Sequence, residues 1–224
     1  MNQTAEKIAG DEVYILLDEI TLEGDLTIPP EARGIVLFAH GSGSSRHSPR
    51  NQSVARVLQE ANLATLLVDL LTPEEEQIDI RTRHLRFDIG LLSERLVGIS
   101  DWLADGLDTR DLRIGYFGAS TGAAAALVAA SERQHLVAAI VSRGGRPDLA
   151  KERIALVRAP TLFIVGENDE HVLDLNRNAF KRLKVEKDLQ IVLGASHLFE
   201  EQGALEEVAR LSQEWFTEHL DVDG

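Results

Sequence analysis

The sequence contains no cysteine, which excludes disulfide bonds, a thiol nucleophile and cysteine ligands for a metal. It also has no apolar run near the roughly 18 to 20 residues that span a bilayer, and no N-terminal apolar stretch preceded by basic residues. We therefore expect a soluble, cytoplasmic protein without a membrane partner. Serine, histidine, aspartate and glutamate remain as the residues able to carry chemistry.

Basic residues are also outnumbered, with 23 Lys and Arg against 37 Asp and Glu, so the formal net charge is −14. Such a chain repels a phosphate backbone, so we expect no nucleic-acid partner. With 224 residues, of which 44% are apolar, the chain is long enough to bury a substantial core. No repeat, linker or low-complexity tract divides it, so one domain over residues 1–224 is expected, as a monomer or homodimer.

The order of elements predicts an α/β fold. Val13–Asp18 and Ile20–Ile28 alternate apolar with polar residues, as an antiparallel hairpin at a sheet edge does. Continuous apolar runs, typical of buried parallel strands, follow at 35–39, 64–71, 112–117, 137–141, 161–165 and 189–193. Helices are predicted at 51–61, 86–104, 121–133, 148–157, 172–183 and 203–218. The result is a mostly parallel sheet of about eight strands with helices on both faces and ligands at the carboxyl ends of the parallel strands.

The loop after the strand at 112–117 reads Gly-Ala-Ser-Thr-Gly, with Ser120 at its centre. Small residues on both sides permit the sharp strand-to-helix turn that exposes a nucleophilic serine. Ser120 could instead simply cap the alanine-rich helix that follows, since serine is a favoured N-cap residue.

A serine nucleophile needs a base and an acid that orients the base. Asp169 follows the strand at 161–165, with Glu167 as a competitor, and His197 follows the last strand. The chain order Ser120, Asp169, His197 is the order expected for this architecture. A lone loop histidine or aspartate is usually structural, but three such residues beyond three parallel strands favour a catalytic triad. Ser196 is a poor alternative nucleophile because Leu198 stands where a closing glycine is needed.

The loop from His40 to Arg50 reads HGSGSSRHSPR. Its Gly-x-Gly could belong to a dinucleotide-binding loop, but the third glycine is missing and Asp69 is only a nominal ribose ligand. The other interpretation is an oxyanion loop, in which glycines let backbone N–H groups approach a developing negative charge. No metal or organic cofactor is required, because no His/Asp cluster has convincing ligand spacing and triad chemistry is self-contained.

These segments resemble the α/β-hydrolase superfamily over nearly the whole chain, and more closely its small, lidless dienelactone-hydrolase-like branch. The motifs that carry the resemblance are HGSGSSRHSPRN, DLLTPEEE, GASTGAAAAL, SRGGRPDLA and GASHLFEE. The resemblance implies Ser120 as nucleophile, His197 as general base and then acid, and Asp169 as its orienting acid. It also implies an oxyanion hole from the backbone N–H groups of Thr121 and Ser42, with Gly43 as the alternative to Ser42. Dienelactone hydrolase itself uses cysteine as nucleophile, so the lactone substrate does not carry over directly.

Only about twenty residues, 141–160, join the sixth strand to the seventh, which leaves no room for a cap. An open site favours small esters or lactones over lipids. Arginines that follow three strands at the same sheet edge suggest an anionic substrate, although pairing with surface acids is the simpler explanation. They are Arg46, Arg50, Arg81, Arg83, Arg143 and Arg146. Of the residues in these loops, Arg81, Arg143 and His40 are the candidate substrate-binding residues.

The predicted function is therefore that of a serine esterase which acts on a small-molecule ester or lactone through an acyl-enzyme. A thioesterase or a peptidase with the same triad is the alternative enzyme. A catalytically inert or engineered hydrolase-fold scaffold is the alternative from another class, because fold does not imply function.

Overall fold

The computed structural model describes residues 10–221, so both ends of the predicted domain lie outside the described residues. One sheet of eight strands runs in the order β1-β2-β4-β3-β5-β6-β7-β8. The strands are β1 (Asp11–Leu17), β2 (Ile20–Thr27), β3 (Gly34–Ala39), β4 (Ala64–Val68), β5 (Arg113–Ala119), β6 (Val137–Arg143), β7 (Thr161–Gly166) and β8 (Lys187–Val192). The β1–β2 and β2–β4 pairs are antiparallel and the remaining pairs are parallel. The predicted mostly parallel sheet with an N-terminal hairpin is confirmed.

Helices cover both faces of this sheet. They are α1 (Pro49–Glu60), α2 (Pro73–Thr82), α3 (Ile89–Asp105), α4 (Thr121–Glu132), α5 (Glu170–Arg182) and α6 (Ala204–Leu220), with 3-10 segments at Leu85–Phe87 and Pro147–Leu156. Helices α1 and α6 cover one face, and α3, α4 and α5 cover the other. The five central strands from β3 to β7 are buried along nearly their whole length, which explains why their sequences are continuously apolar.

Helix α4 lies close to the sheet because its buried side chains are small. Residues 123–126 are four alanines, each without exposed surface. Alanine has the highest helix propensity and loses no side-chain entropy on burial, so this segment forms a helix while its backbone approaches β3 and β5. The position of α4 in turn fixes the end of β5, where Ser120 lies.

Helix α2 was not predicted from the sequence, since it lies between the predicted strand at 64–71 and the predicted helix at 86–104. Its helical signal lies in its first turn rather than in apolar periodicity. Thr72 Oγ1 accepts the Glu75 N–H at 3.2 Å, Glu75 Oε2 accepts the Thr72 N–H at 2.8 Å, and Pro73 occupies the first helical position. Only Asp79 of this helix is buried, so it has no apolar stripe to detect.

The connection between β6 and β7 contains only the 3-10 segment Pro147–Leu156, interrupted at Lys151, whose φ is +50°. The predicted helix at 148–157 is therefore a 3-10 helix, and no cap is inserted at this point. None of the helices within residues 10–221 is both long and apolar enough to cross a membrane.

Arg46 ties the loop after β3 to the antiparallel edge of the sheet. Its side chain is 8% exposed and lies within ion-pair distance of four carboxylates, those of Glu12, Glu23, Asp25 and Asp69. The shortest contacts are Nη1 to Glu23 Oε2 at 2.6 Å and to Asp69 Oδ2 at 2.7 Å. Four clustered negative charges would repel one another without this guanidinium.

We predict that Arg46→Met lowers the free energy of unfolding by about 2 kcal/mol, because it leaves the acidic cluster uncompensated while the carboxylates keep part of their hydration. Urea denaturation measures the loss. Arg177→Met is the matched control, since Arg177 forms one exposed pair with Asp174 and should cost at most about 0.5 kcal/mol. Equal losses in the two variants would contradict a structural role for the Arg46 cluster.

Candidate functional site

Ser120 occupies a strained turn between β5 and α4. Its φ of +50° and ψ of −118° are sparsely populated for a residue with a side chain. The turn is held by the backbone, because the Ser120 N–H donates to the Arg143 carbonyl at 3.2 Å and the Ser120 carbonyl accepts the Arg146 N–H at 3.0 Å. Within residues 10–221, Ser120 Oγ makes no hydrogen bond, so the half-buried hydroxyl is available for chemistry.

The two glycines of the motif are required by close backbone packing. A Cβ at Gly118 would lie 2.4 Å from Ala123 Cα, and one at Gly122 would lie 2.1 Å from the Ala39 carbonyl oxygen. Both distances are far below van der Waals contact with atoms that cannot move independently. The Gly-x-Ser-x-Gly pattern thus follows from the geometry of the turn.

His197 and Asp169 are joined by a short hydrogen bond, 2.6 Å from Nδ1 to Asp169 Oδ2. Asp169 occupies the N-cap position of α5, but its side chain makes no capping hydrogen bond. Its carboxylate is therefore available to the imidazole. A carboxylate on Nδ1 fixes the tautomer in which Nε2 is free to accept a proton. His197 also reaches the Ser120 neighbourhood, since a Cβ on Gly144, which follows Arg143, would lie 3.4 Å from His197 Nδ1.

Glu167 has a different position from the one that a triad acid would need. Its Oε2 accepts the Gly194 N–H at 2.8 Å, and the Asn168 side-chain amide donates to the Gly194 carbonyl at 2.8 Å. These two hydrogen bonds hold Gly194, at the start of the loop that carries His197, in place. Sequence analysis missed Asn168, because nothing in its surroundings along the chain distinguishes it from an ordinary turn residue.

Two backbone N–H groups, one from the loop after β3 and one from the start of α4, lie near the Ser120 turn. The Ser44 N–H donates to the Gly41 carbonyl at 3.1 Å, and Gly43 has a φ of +74°, which closes a tight turn. The Ser42 N–H donates to Thr121 Oγ1 at 2.9 Å. Thr121 is the first residue of α4, where a backbone N–H has no acceptor within the helix.

His40 is held by backbone groups on both ring nitrogens. Nε2 accepts the Leu70 N–H at 3.3 Å, so Nδ1 carries the proton and donates to the Gly41 carbonyl at 3.0 Å. His40 also lines a cavity of about 180 Å³ between this loop and the start of α2, and neither Ser120 nor His197 borders that cavity. These contacts give His40 a part in shaping the loop after β3, and they do not show a contact with substrate.

The arginines predicted to share the carboxyl edge do not converge on one point. Arg46 is held by the acidic cluster, Arg146 forms a two-point pair with Asp148, and Arg50 lies 3.3 Å from Glu200. The predicted loop position of Arg81 is wrong, because this residue lies exposed in the last turn of α2. Arg83 is likewise exposed, at the end of that helix.

Arg143 is the exception, because it is 5% exposed and has no acidic partner within residues 10–221. Its guanidinium lies over the Phe199 ring at 5.6 Å, and Nη2 is 3.4 Å from Asn51 Oδ1. Nε is buried without a hydrogen bond. Burial, together with the positive charge of the nearby Arg50, lowers the pKa of Arg143 to about 10.

Arg86, which no sequence pattern singled out, is an arginine whose guanidinium lies against the loop after β3. A Cβ on Gly43 would be 3.2 Å from Arg86 Nη1. The other side of the guanidinium is bound by the fully buried Asp79, which also accepts the Leu85 N–H at 2.7 Å. Recognising the Thr-Pro-Glu-Glu start of α2 would have moved the turn to residues 83–88 and drawn attention to Arg86.

No group of three or more His, Cys, Asp or Glu side chains within residues 10–221 is arranged to hold a metal ion. The chemistry that this edge of the sheet can support is that of a hydroxyl, an imidazole–carboxylate pair and backbone donors.

Two curated proteins of Mycobacterium tuberculosis, from strains CDC 1551 and H37Rv, are each 55% identical over 217 residues. The match covers 97% of this chain and 48% of each relative, so the chain spans about half their length. Both carry the provisional name phosphoribosyl transferase.

Solved structures and a family model give a fuller match. Est1E from Butyrivibrio proteoclasticus shares the fold, with a TM-score of 0.77, 18% identity, and coverage of 92% of this chain and 98% of that one. A dienelactone hydrolase from Anabaena variabilis is 61% identical, with a TM-score of 0.93 over 94% of this chain and 98% of that one. The model of the dienelactone hydrolase family matches residues 28–220. The chain therefore belongs to the dienelactone hydrolase family.

Proposed function

We propose that this hydrolase cleaves small carboxylic esters or lactones through an acyl-enzyme formed on Ser120. The observation that carries the proposal is the 2.6 Å hydrogen bond between His197 and Asp169 at the sheet edge that holds the strained serine turn. Family membership supports hydrolysis as the reaction class. The serine and the imidazole supply the nucleophile and the base that acyl transfer needs.

The proposed reaction begins when His197 Nε2 takes the proton of Ser120 Oγ as the oxygen attacks the carbonyl carbon. Asp169 holds the imidazole and offsets the charge of the imidazolium. The tetrahedral intermediate collapses, and His197 returns the proton to the departing alkoxide. Water then attacks the acyl-enzyme while His197 takes one of its protons. His197 returns that proton to Ser120 Oγ as the acid is released.

The Thr121 N–H is the first proposed oxyanion donor, because its position at the start of α4 leaves it without a helical acceptor. The second donor is the Ser42 N–H, which must turn from Thr121 Oγ1 toward the substrate, since the two atoms are 2.9 Å apart. Gly43 remains the alternative because its N–H follows in the same tight turn. Catalytic hydrogen bonds often tighten only when substrate is bound.

A thioesterase or a peptidase would use the same residues, and a panel of ester, thioester and amide leaving groups distinguishes them. An inert scaffold would fail to react with an active-site serine probe. The Mycobacterium relatives are about twice as long as this chain, and we propose that the transferase activity in their name belongs to the half that this chain does not match.

We further propose a cytoplasmic protein, monomeric or homodimeric, whose partner is a small-molecule ester rather than nucleic acid or membrane. The absence of cysteine and the net charge of −14 support this proposal.

Ser120→Ala should lower turnover of p-nitrophenyl acetate by roughly 10⁴ to 10⁶ and abolish labelling by a fluorophosphonate probe, because the nucleophile is lost. Ser196→Ala is the matched control in the His197 loop and should keep both signals. A folded Ser120→Ala protein that is still labelled and active would refute Ser120 as nucleophile.

Asp169→Asn should lower kcat about 10⁴-fold by favouring the wrong imidazole tautomer, with little change in thermal stability. Glu167→Gln should instead cost about tenfold at most, since its role is to hold Gly194 through one hydrogen bond. Steady-state kinetics of both variants, with melting temperatures, decide the assignment. The reverse ranking would make Glu167 the triad acid.

An anionic substrate is the finer proposal; Arg143 continues to support it, and Arg86 takes the place of Arg81, which lies exposed in α2. Arg86 Nη1 faces the proposed oxyanion loop after β3, and Arg143 is a buried cation beside the Ser120 turn. A carboxylate-bearing ester should therefore react with a higher kcat/KM than its neutral amide analogue, by about tenfold for one charge-assisted contact.

The double variant Asp79→Asn/Arg86→Gln should abolish this preference without leaving the Asp79 carboxylate buried and unpaired. Arg81→Ala, which removes an exposed charge from α2, should preserve it. A preference equal in all three proteins, or absent from the parent, would show that Arg86 does not select the substrate.

A further inference from the structure

A second cavity, of about 430 Å³, lies at the amino ends of β5, β6 and β7, the edge of the sheet opposite to Ser120. Three separate segments line it, residues 110–114, 134–138 and 158–160, together with Ala104 at the end of α3. This volume falls within the range of small-molecule sites, about 300 to 1,000 Å³. We call it the basic groove.

The charges around the basic groove are strongly one-sided. Three arginines and a histidine line it: Arg110, Arg113, Arg158 and His135. The one acidic lining residue is Asp111, whose side chain is 91% exposed and 3.7 Å from Arg110. Within residues 10–221, neither Arg113 nor Arg158 forms an ion pair.

This arrangement is unusual for the molecule as a whole. Acidic residues number 37 against 23 basic ones, and many arginines elsewhere, such as Arg46, Arg133 and Arg210, are held by carboxylates. Unpaired guanidiniums gathered on an acidic protein create a local positive potential that concentrates anions. Random pairing with surface acids would have been the ordinary outcome here.

The sheet is irregular at the floor of the groove. In the pairing of β5 with β6, Ile114 is opposite Val137 and Gly115 is opposite Ala139, so Ala138 has no partner. The pairing of β6 with β7 begins only at Ile140. The strand ends are therefore separated, and the floor of the resulting opening is apolar, formed by Leu112, Leu136, Val137, Ala138, Ala159 and Pro160.

We propose that the basic groove binds a small organic phosphate, with the phosphate group between the guanidiniums and the carbon body on the apolar floor. Arginine presents a planar fork that matches phosphate oxygens, and a group of guanidiniums suits a phosphate dianion better than a singly charged carboxylate. The volume of this open groove fits a mononucleotide-sized molecule. The site is separate from the proposed ester chemistry and does not depend on it.

Isothermal titration calorimetry with AMP and with phenyl phosphate tests the proposal directly. At least one of them should bind with a Kd below about 1 mM, and its dephosphorylated counterpart, adenosine or phenol, should bind at least tenfold more weakly, a difference of about 1.4 kcal/mol. The double variant Arg113→Gln/Arg158→Gln should weaken phosphate-ester binding at least tenfold.

Arg56→Gln/Arg83→Gln is the matched control, because it removes the same charge from exposed residues outside the groove. It should bind as tightly as the parent. The proposal is overturned if neither phosphate ester binds, if both double variants weaken binding equally, or if the dephosphorylated compounds bind as well. A dimer seen by sedimentation that only Arg113→Gln/Arg158→Gln dissociates, without phosphate binding, would make the groove a self-association surface instead.

Discussion

The close approach of backbone segments at Ser120 is the constraint on which the rest of the candidate site depends. The turn can form only because Gly118 lies against α4 and Gly122 lies against the end of β3. The same contact brings the loop after β3 to the first turn of α4, where the Ser42 N–H meets Thr121 Oγ1. The same packing contact therefore positions the proposed nucleophile and the proposed oxyanion donors, and it stabilises the strained backbone of the serine.

Two polar anchors then fix the loops that surround this turn. Arg46 fastens the loop after β3 to the antiparallel edge of the sheet, and Glu167 with Asn168 fastens the start of the His197 loop to the end of β7. Both anchors act on backbone or on groups outside the candidate site. The Arg46 anchor uses partly buried, charge-assisted hydrogen bonds, which are stronger and more directional than neutral contacts, whereas the Glu167 and Asn168 bonds are exposed.

The sequence was informative where burial or steric necessity restricts the choice of residue. Continuous apolar runs identified the parallel strands, and the glycines at 118 and 122 marked the serine turn because no other residue fits there. Helix α2 escaped detection because its one buried residue is Asp79, so apolar periodicity is absent. The position of Arg86 depends on that helix and on the ion pair between Arg86 and Asp79, and both are features of the tertiary structure. The arginines showed the same limit, since composition cannot tell which of them will find a carboxylate.

Arg143 shows why an uncompensated charge can persist beside such a site. Burial of a guanidinium without an acid is costly, and its depressed pKa reflects that cost. The stack on Phe199 and the contact with Asn51 offset only part of it. An acid beside Arg143 would neutralise the charge and stabilise the fold, yet under the proposed acyl transfer it would also add a negative charge next to the turn where negative charge would develop. An unpaired cation would keep its field available to the proposed reacting groups, at the expense of stability that the apolar clusters on the two faces of the sheet can supply.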